Sequence, residues 1–273
     1  MRMKPYRAYL FDLDGTVYRG SKPIPEAVMA LREMTERGAH IAFLTNNSSM
    51  TPEQVAAKLR AMGVPADPEQ VVTSSLVTAA ALREEMPGAS VYAIGEEGLL
   101  AALRSAGCRF DDERPDVVVV GIDRRLTYEK LAKAALAIQR GARFYATNPD
   151  RALPSEQGLL PGNGALLAAL VTTTGVQPRV FGKPEPAFVH YALKRLGVPP
   201  QEALMVGDNG QTDIPAGARA GTDTLLVLTG VTRPEEVNTL PVVPTYVAAN
   251  VKEWWERVGK TGRAGSNSRT ETC

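Results

Sequence analysis

The sequence predicts an α/β fold: a Rossmann-like parallel sheet core with helices on both faces, interrupted by an inserted αβ domain. Three observations carry this reading. Short, nearly all-apolar runs alternate with amphipathic stretches, the pattern of strands covered on both faces. The alternation pauses near residue 80 and resumes near residue 180. The roughly 100 residues between hold an αβ set of their own, enough for a small separate core. At 273 residues, two domains are also the natural expectation. The boundaries read this way are 1–79 and 179–258 for the core, 80–178 for the insert and 259–273 for a disordered tail. That tail is rich in Gly, Ser, Thr, Asn and Arg.

The elements follow in order. Ala8 to Phe11 reads as a strand, and Pro25 to Gly38 as a helix with Val28, Leu31 and Met34 on one stripe. His40 to Thr45 is a second strand. Thr51-Pro52 with Gln54 supplies the capping-box chemistry that opens a helix running to Met62. Val71 to Ser74 is a third strand. In the insert, Ser90–Ile94, Asp116–Ile122 and Arg143–Thr147 read as strands, with helices over Tyr128–Arg140 and Gly164–Thr173. The core resumes near Val180 with helix Pro186–Leu196, strand Ala203–Val206, helix Ile214–Ala220 and strand Thr224–Leu228. Strand Thr245–Ala248 and helix Val251–Val258 close it.

Composition narrows the function classes. Thirty-one basic against thirty acidic residues leave a net charge of +1, so no global field favours nucleic acid or a membrane surface. Two cysteines, Cys108 and Cys273, cannot build a disulfide framework. No apolar run reaches membrane-spanning length, and the opening Met1–Pro5 lacks the apolar stretch of a signal peptide. A cytoplasmic protein with a small-molecule partner, no nucleic acid and no membrane is expected.

In an open parallel sheet the ligand site lies beyond the carboxyl ends of the strands. Four such ends carry polar chemistry. The first is Asp12-Leu13-Asp14-Gly15-Thr16, where two carboxylates two residues apart point the same way if the strand persists. Like charges so placed cost roughly 4 kcal/mol at 4 Å and an effective dielectric near 20. A bound cation or a shared proton relieves that. The second is Thr45-Asn46-Asn47-Ser48, whose hydroxyl and backbone N–H groups could hold phosphoryl oxygens, although alone it reads as a turn. The third is Gly182-Lys183-Pro184, with an ammonium that would neutralise phosphate or, alone, simply be solvated. The fourth runs from Gly207-Asp208 to Asp213. Asp208 ends a buried strand and needs a partner. Asp213 also suits the N-cap of the next helix, with Pro215 in its first turn.

These residues resemble the haloacid dehalogenase-like hydrolases. Asp12 to Thr16 looks like the first motif of that superfamily, Thr45 its second, Lys183 its third, and Gly207-Asp208 through Asp213 its fourth, in the right order over about residues 6–258. The insert is similar to the αβ cap of the NagD-like phosphatases. Leu44–Ser48, Ile94–Gly98, Thr147-Asn148 with Asp150, and Leu160–Gly164 match that subfamily, closest to the branch from Gram-positive bacteria called acid sugar phosphatases.

The resemblance implies a Mg²⁺-dependent phosphatase of small monoesters, including sugar and acid-sugar phosphates and p-nitrophenyl phosphate-type substrates. Asp12 would attack phosphorus to form an aspartyl-phosphate. Asp14 would protonate the leaving oxygen and then take a proton from water. Asp12, the Asp14 backbone carbonyl and Asp208 would hold the metal, with Asp213 behind them orienting water or Lys183. Thr45, Lys183 and the backbone near Asn46 would bind the phosphoryl oxygens. Asn148, Asp150 and Asn163 are the candidates for cap specificity. Phosphotransfer as a mutase, or phosphate-ligand binding without catalysis, are the alternatives. A receiver domain would be about half this length and would lack both Asp14 and an insert. Arg124 and Arg125 could meet an acidic substrate, but surface arginines are usually solvated. His40 and His190 read as structural, and Cys108 as half-buried. Trp254-Trp255 would pack one ring on the core, and an exposed second ring could mark a homodimer contact.

Overall fold

The computed structural model describes residues 5–155 and 157–264. The chain forms two compact units. The first holds the residues up to Phe43, Leu59–Pro65 and those from Ala192 on; the second holds Leu44–Lys58 and Ala66–Tyr191.

In the first unit, parallel strands run in the order Tyr246–Ala248, Asp223–Val227, Ala203–Gly207, Ala8–Asp12 and His40–Thr45, the last passing into the second unit at Leu44. Every residue of Ala8–Asp12 and Ala203–Gly207 is buried, which is why both read as unbroken apolar runs. The register pairs Ala8 with Ala203 and Phe11 with Val206. One step further along, Asp12 stands level with Gly207, so Asp208 follows at the same sheet end. Register alone therefore gathers the two carboxylates.

The final helix, Val251–Ala264, continues past the Gly259 boundary read from composition; the rest of that tail, 265–273, lies outside the described residues. Trp254 and Trp255 are both buried, against the expectation of one exposed ring, and Tyr9 meets each edge-on at about 6 Å. The same aromatic group includes Tyr6, whose hydroxyl donates to Asp223 at 2.6 Å.

In the second unit a parallel sheet runs Arg179–Val180, Arg143–Ala146, Val117–Val120, Ser90–Ile94 and Arg109–Phe110. Its core joins Ile94, Val118, Val120 and Phe144 to Ile138 on helix Tyr128–Gln139 and Leu167 and Leu170 on helix Asn163–Thr174. The same unit holds strand Val71–Thr73, helices Ser74–Glu85 and Glu97–Ser105 and the hairpin Ala152–Ser155/Gly158–Pro161. No helix among the described residues is long and apolar enough to cross a membrane.

Candidate active site

Asp12, Asp208 and Asp213 are all buried in the first unit, and each offers a carboxylate oxygen within 4.8 Å of the others'. The turn after Asp12 is built for this. Gly15 adopts φ +92°, and the amides of Val17 and Tyr18 both reach the Leu13 carbonyl, at 2.8 and 3.2 Å. A Cβ on Gly15 would stand 2.3 Å from the Asp208 carboxylate, so glycine is required twice over, by dihedral and by space. Thr16, fully buried, places its hydroxyl 3.2 Å from Asp12 and 3.2 Å from Asp208. Asp213 is the first residue of helix Asp213–Arg219, whose N-cap is Thr212 and not Asp213 as the sequence suggested, and it accepts the Asn209 amide at 3.0 Å. Its carboxylate thus serves the turn and also joins the acidic cluster. Asp14 is exposed, and its side chain accepts a long 3.3 Å contact from the Gly20 amide.

Sequence reasoning missed the segment Thr229–Thr232. The Val231 amide donates to Asp208 at 2.6 Å, and the Thr232 amide donates to the Asp208 carbonyl at 3.2 Å. The Thr229 hydroxyl donates to the Gly15 carbonyl at 2.7 Å, and a Cβ on Gly230 would collide with the Asp208 carboxylate at 1.9 Å. The signal was present: small polar residues follow strand Asp223–Val227 at its carboxyl end, as they follow the strand ending at Thr45. The donor set is all oxygen, buried and mutually repulsive, which fits a hard divalent cation.

The second unit assembles the remaining candidates. Thr45 is buried, and its hydroxyl accepts the Asn47 amide at 3.1 Å. Lys183 is 2% exposed, and its ammonium donates to the Leu44 carbonyl at 3.4 Å. The Asn46 side chain bonds both backbone groups of Lys183 and also Asp150. Asn148 donates to Asp150 at 2.7 Å, and Asn163 donates to the Asn148 carbonyl at 2.8 Å and the Val120 carbonyl at 3.2 Å. The three residues read as cap specificity candidates are therefore linked to one another and, through Asn46, to Lys183. Gly162 and Gly164 allow that approach: a Cβ on either would meet a backbone oxygen of Asp150 or Pro149 at 2.2 or 2.4 Å.

Other candidates resolve simply. Arg124 pairs with Glu96 at 2.9 Å, and its amide bonds the same carboxylate. His40 and His190 are exposed. Cys108 is half-buried, and burial pushes its thiol pKa up, away from reactivity.

The comparisons with known proteins agree with this geometry. The haloacid dehalogenase-like hydrolase profile matches residues 9–109, and a HAD-hydrolase-like profile matches residues 180–254. The chain is 51% identical to the 5'-nucleotidase YutF of Bacillus subtilis over 92% of this chain and 98% of that protein. It is 48% identical to an acid sugar phosphatase of Staphylococcus aureus, covering 92% and 97%. Among solved structures, NagD from Escherichia coli K-12 superposes with a TM-score of 0.85 at 34% identity, covering 92% of this chain and 98% of that one.

Proposed function

Because this chain belongs to the haloacid dehalogenase-like hydrolases, we propose that it hydrolyses small phosphate monoesters through an aspartyl-phosphate on Asp12. The observation that carries this is the buried cluster of Asp12, Asp208 and Asp213 beside an exposed Asp14. Asp12 sits at a strand end inside a rigid turn, held for attack rather than left to rotate in water. An Asp12 oxygen bonds to phosphorus as the ester oxygen leaves. Asp14, two residues on and open to solvent, gives that oxygen its proton. It then takes a proton from the water that cleaves the acyl phosphate, which regenerates both carboxyl groups.

Asp12, Asp208 and the Asp14 carbonyl are the residues to hold Mg²⁺, with Asp213 and Thr16 orienting the carboxylates around it. When bound, the ion supplies charge neutralisation for the phosphoryl oxygens. Thr45, the backbone at Asn46 and Lys183 take the role of binding those oxygens. Residues 80–178 act as the cap, and cytoplasmic phosphorylated metabolites are the substrate class. The named relatives extend the range worth assaying to acid-sugar phosphates and nucleotides.

The test is phosphate release from p-nitrophenyl phosphate, glycerol phosphates, sugar and sugar-acid phosphates and nucleoside monophosphates, with Mg²⁺ and with excess EDTA. Magnesium-dependent release from several esters is expected. Metal-independent release would remove the proposed mechanism, and transfer to a second sugar without release would make the protein a mutase.

A further inference from the structure

Asp150 reads from the sequence as a cap specificity candidate, and its bonds to Asn46 lead toward Lys183. The Asn46 carboxamide closes on one residue from both sides: its Oδ1 accepts the Lys183 amide at 2.9 Å, and its Nδ2 donates to the Lys183 carbonyl at 3.1 Å. The same Nδ2 lies 3.1 and 3.3 Å from the two Asp150 carboxylate oxygens. An amide nitrogen has two hydrogens, so one serves Lys183 and the other serves Asp150. The arrangement allows a single orientation. Turning the carboxamide over would set its oxygen against the Asp150 carboxylate and its NH₂ against the Lys183 N–H. The two Lys183 backbone groups choose the observed orientation, and Asp150 reinforces it by taking the second Nδ2 hydrogen, so Asp150 buttresses the Asn46 that holds the backbone of Lys183.

The supports continue behind Asp150. Asn148 donates to Asp150 Oδ2 at 2.7 Å and is itself held by the Thr147 hydroxyl at 2.8 Å and by Asn163. Asn148 and Asn163 are 4% and 1% exposed, so neither is a surface group available to varied substrates. Gly182 lets the chain after strand Arg179–Val180 lie against this network, since a Cβ there would stand 2.7 Å from Asn46 Oδ1.

We infer that Asp150 is a positioning residue for Lys183, acting through Asn46, and that it does not select the substrate's leaving group. The inference rests on the reading of Lys183 as a phosphoryl-binding group. The phosphoryl group is common to every substrate, so a displaced Lys183 weakens all of them alike. Displacements of about 1 Å can cost as much as 10²-fold in rate.

The experiment measures kcat/KM for p-nitrophenyl phosphate, glycerol phosphate and a sugar phosphate, together with inhibition by inorganic phosphate. The variants are Asp150→Ala, Asn46→Ala, their combination and Lys183→Ala. Asp150→Ala is expected to lower kcat/KM about tenfold for all three esters, within a factor of two of one another. Inhibition by phosphate should weaken in step, and the double variant should fall no lower than Asn46→Ala alone. If Asp150→Ala does not fold, Asp150→Asn is judged by the same criteria; it keeps volume and one acceptor, so a smaller but equally uniform loss is expected. Losses that differ severalfold between esters, unchanged phosphate inhibition or multiplying effects would overturn the inference. If Lys183→Ala leaves hydrolysis intact, the reading of Lys183 itself fails, and the inference with it.

Discussion

Asp208 and Asp150 are both carboxylates beside a proposed functional group and both accept from neutral donors, but only Asp208 is grouped with other buried carboxylates. Asp208 lies with two other buried carboxylates, each offering an oxygen within 4.8 Å. Asp150 lies against two carboxamides that donate to it. The first arrangement is costly by itself, roughly 4 kcal/mol per like-charge pair at 4 Å and an effective dielectric near 20, and calls for a cation. In the second, the carboxylate meets neutral donors instead of like charges. Clustered carboxylates mark where a cation belongs; carboxamides donating to a carboxylate mark a support.

The strongest challenge to this contrast is Asp12→Asn, which keeps volume and removes the nucleophile. Phosphate release should fall on the order of 10³-fold or more while the far-ultraviolet circular dichroism spectrum stays unchanged. Gly15→Ala attacks the same cluster sterically. It forces a side chain at φ +92° and 2.3 Å from Asp208, and should lower activity by about 10²-fold while costing about 1–3 kcal/mol in denaturant melts.

Magnesium sharpens the contrast directly. At 100 times its dissociation constant it should stabilise the wild type by about 2.7 kcal/mol, read as a higher Tm than in EDTA. Asp208→Asn should lose that increment and Asp150→Asn should keep it. A shift retained by Asp208→Asn would place the cation elsewhere.

The smallest effect is expected in the aromatic cluster. Burial, then hydrogen bonds to Asp223 and Tyr246, hold the Tyr6 phenol well above its ordinary pKa of 10.0. A folded-state pKa above the unfolded one favours folding below about pH 10, and that contribution fades as pH rises further. Tyr6→Phe should therefore cost about 1–2 kcal/mol near neutral pH and flatten the decline in stability above pH 10. Equal slopes for both proteins in urea melts would show that Tyr6 does not carry the alkaline dependence.

Much of this was legible in the sequence because buried parallel strands announce their own ends. Ala8–Asp12, His40–Thr45 and Ala203–Gly207 are apolar runs that stop at polar residues, and strand and candidate site were read together. Helix Ser74–Glu85 was not read, because it buries Ser74, Ser75 and Thr78 along with Val77 and Leu82, and polar burial blurs the helical stripe. The two-residue strands Tyr18–Arg19 and Lys22–Pro23 are too short for any period to show. Thr229–Thr232 reaches Asp208 across more than twenty residues of chain; the polar residues at the strand end mark the segment, but local sequence does not encode its partner. Asn148, Asp150 and Asn163 were found as residues, but their mutual bonds depend on how the turn at Gly162 folds back on Asp150.

The nucleophile is tested most directly by rapid acid quenching during turnover of a phosphate ester labelled at phosphorus. Wild-type protein should carry alkali-labile label characteristic of an acyl phosphate, and Asp12→Asn should carry none. Label on Asp12→Asn, or undiminished turnover by that variant, would contradict the assignment.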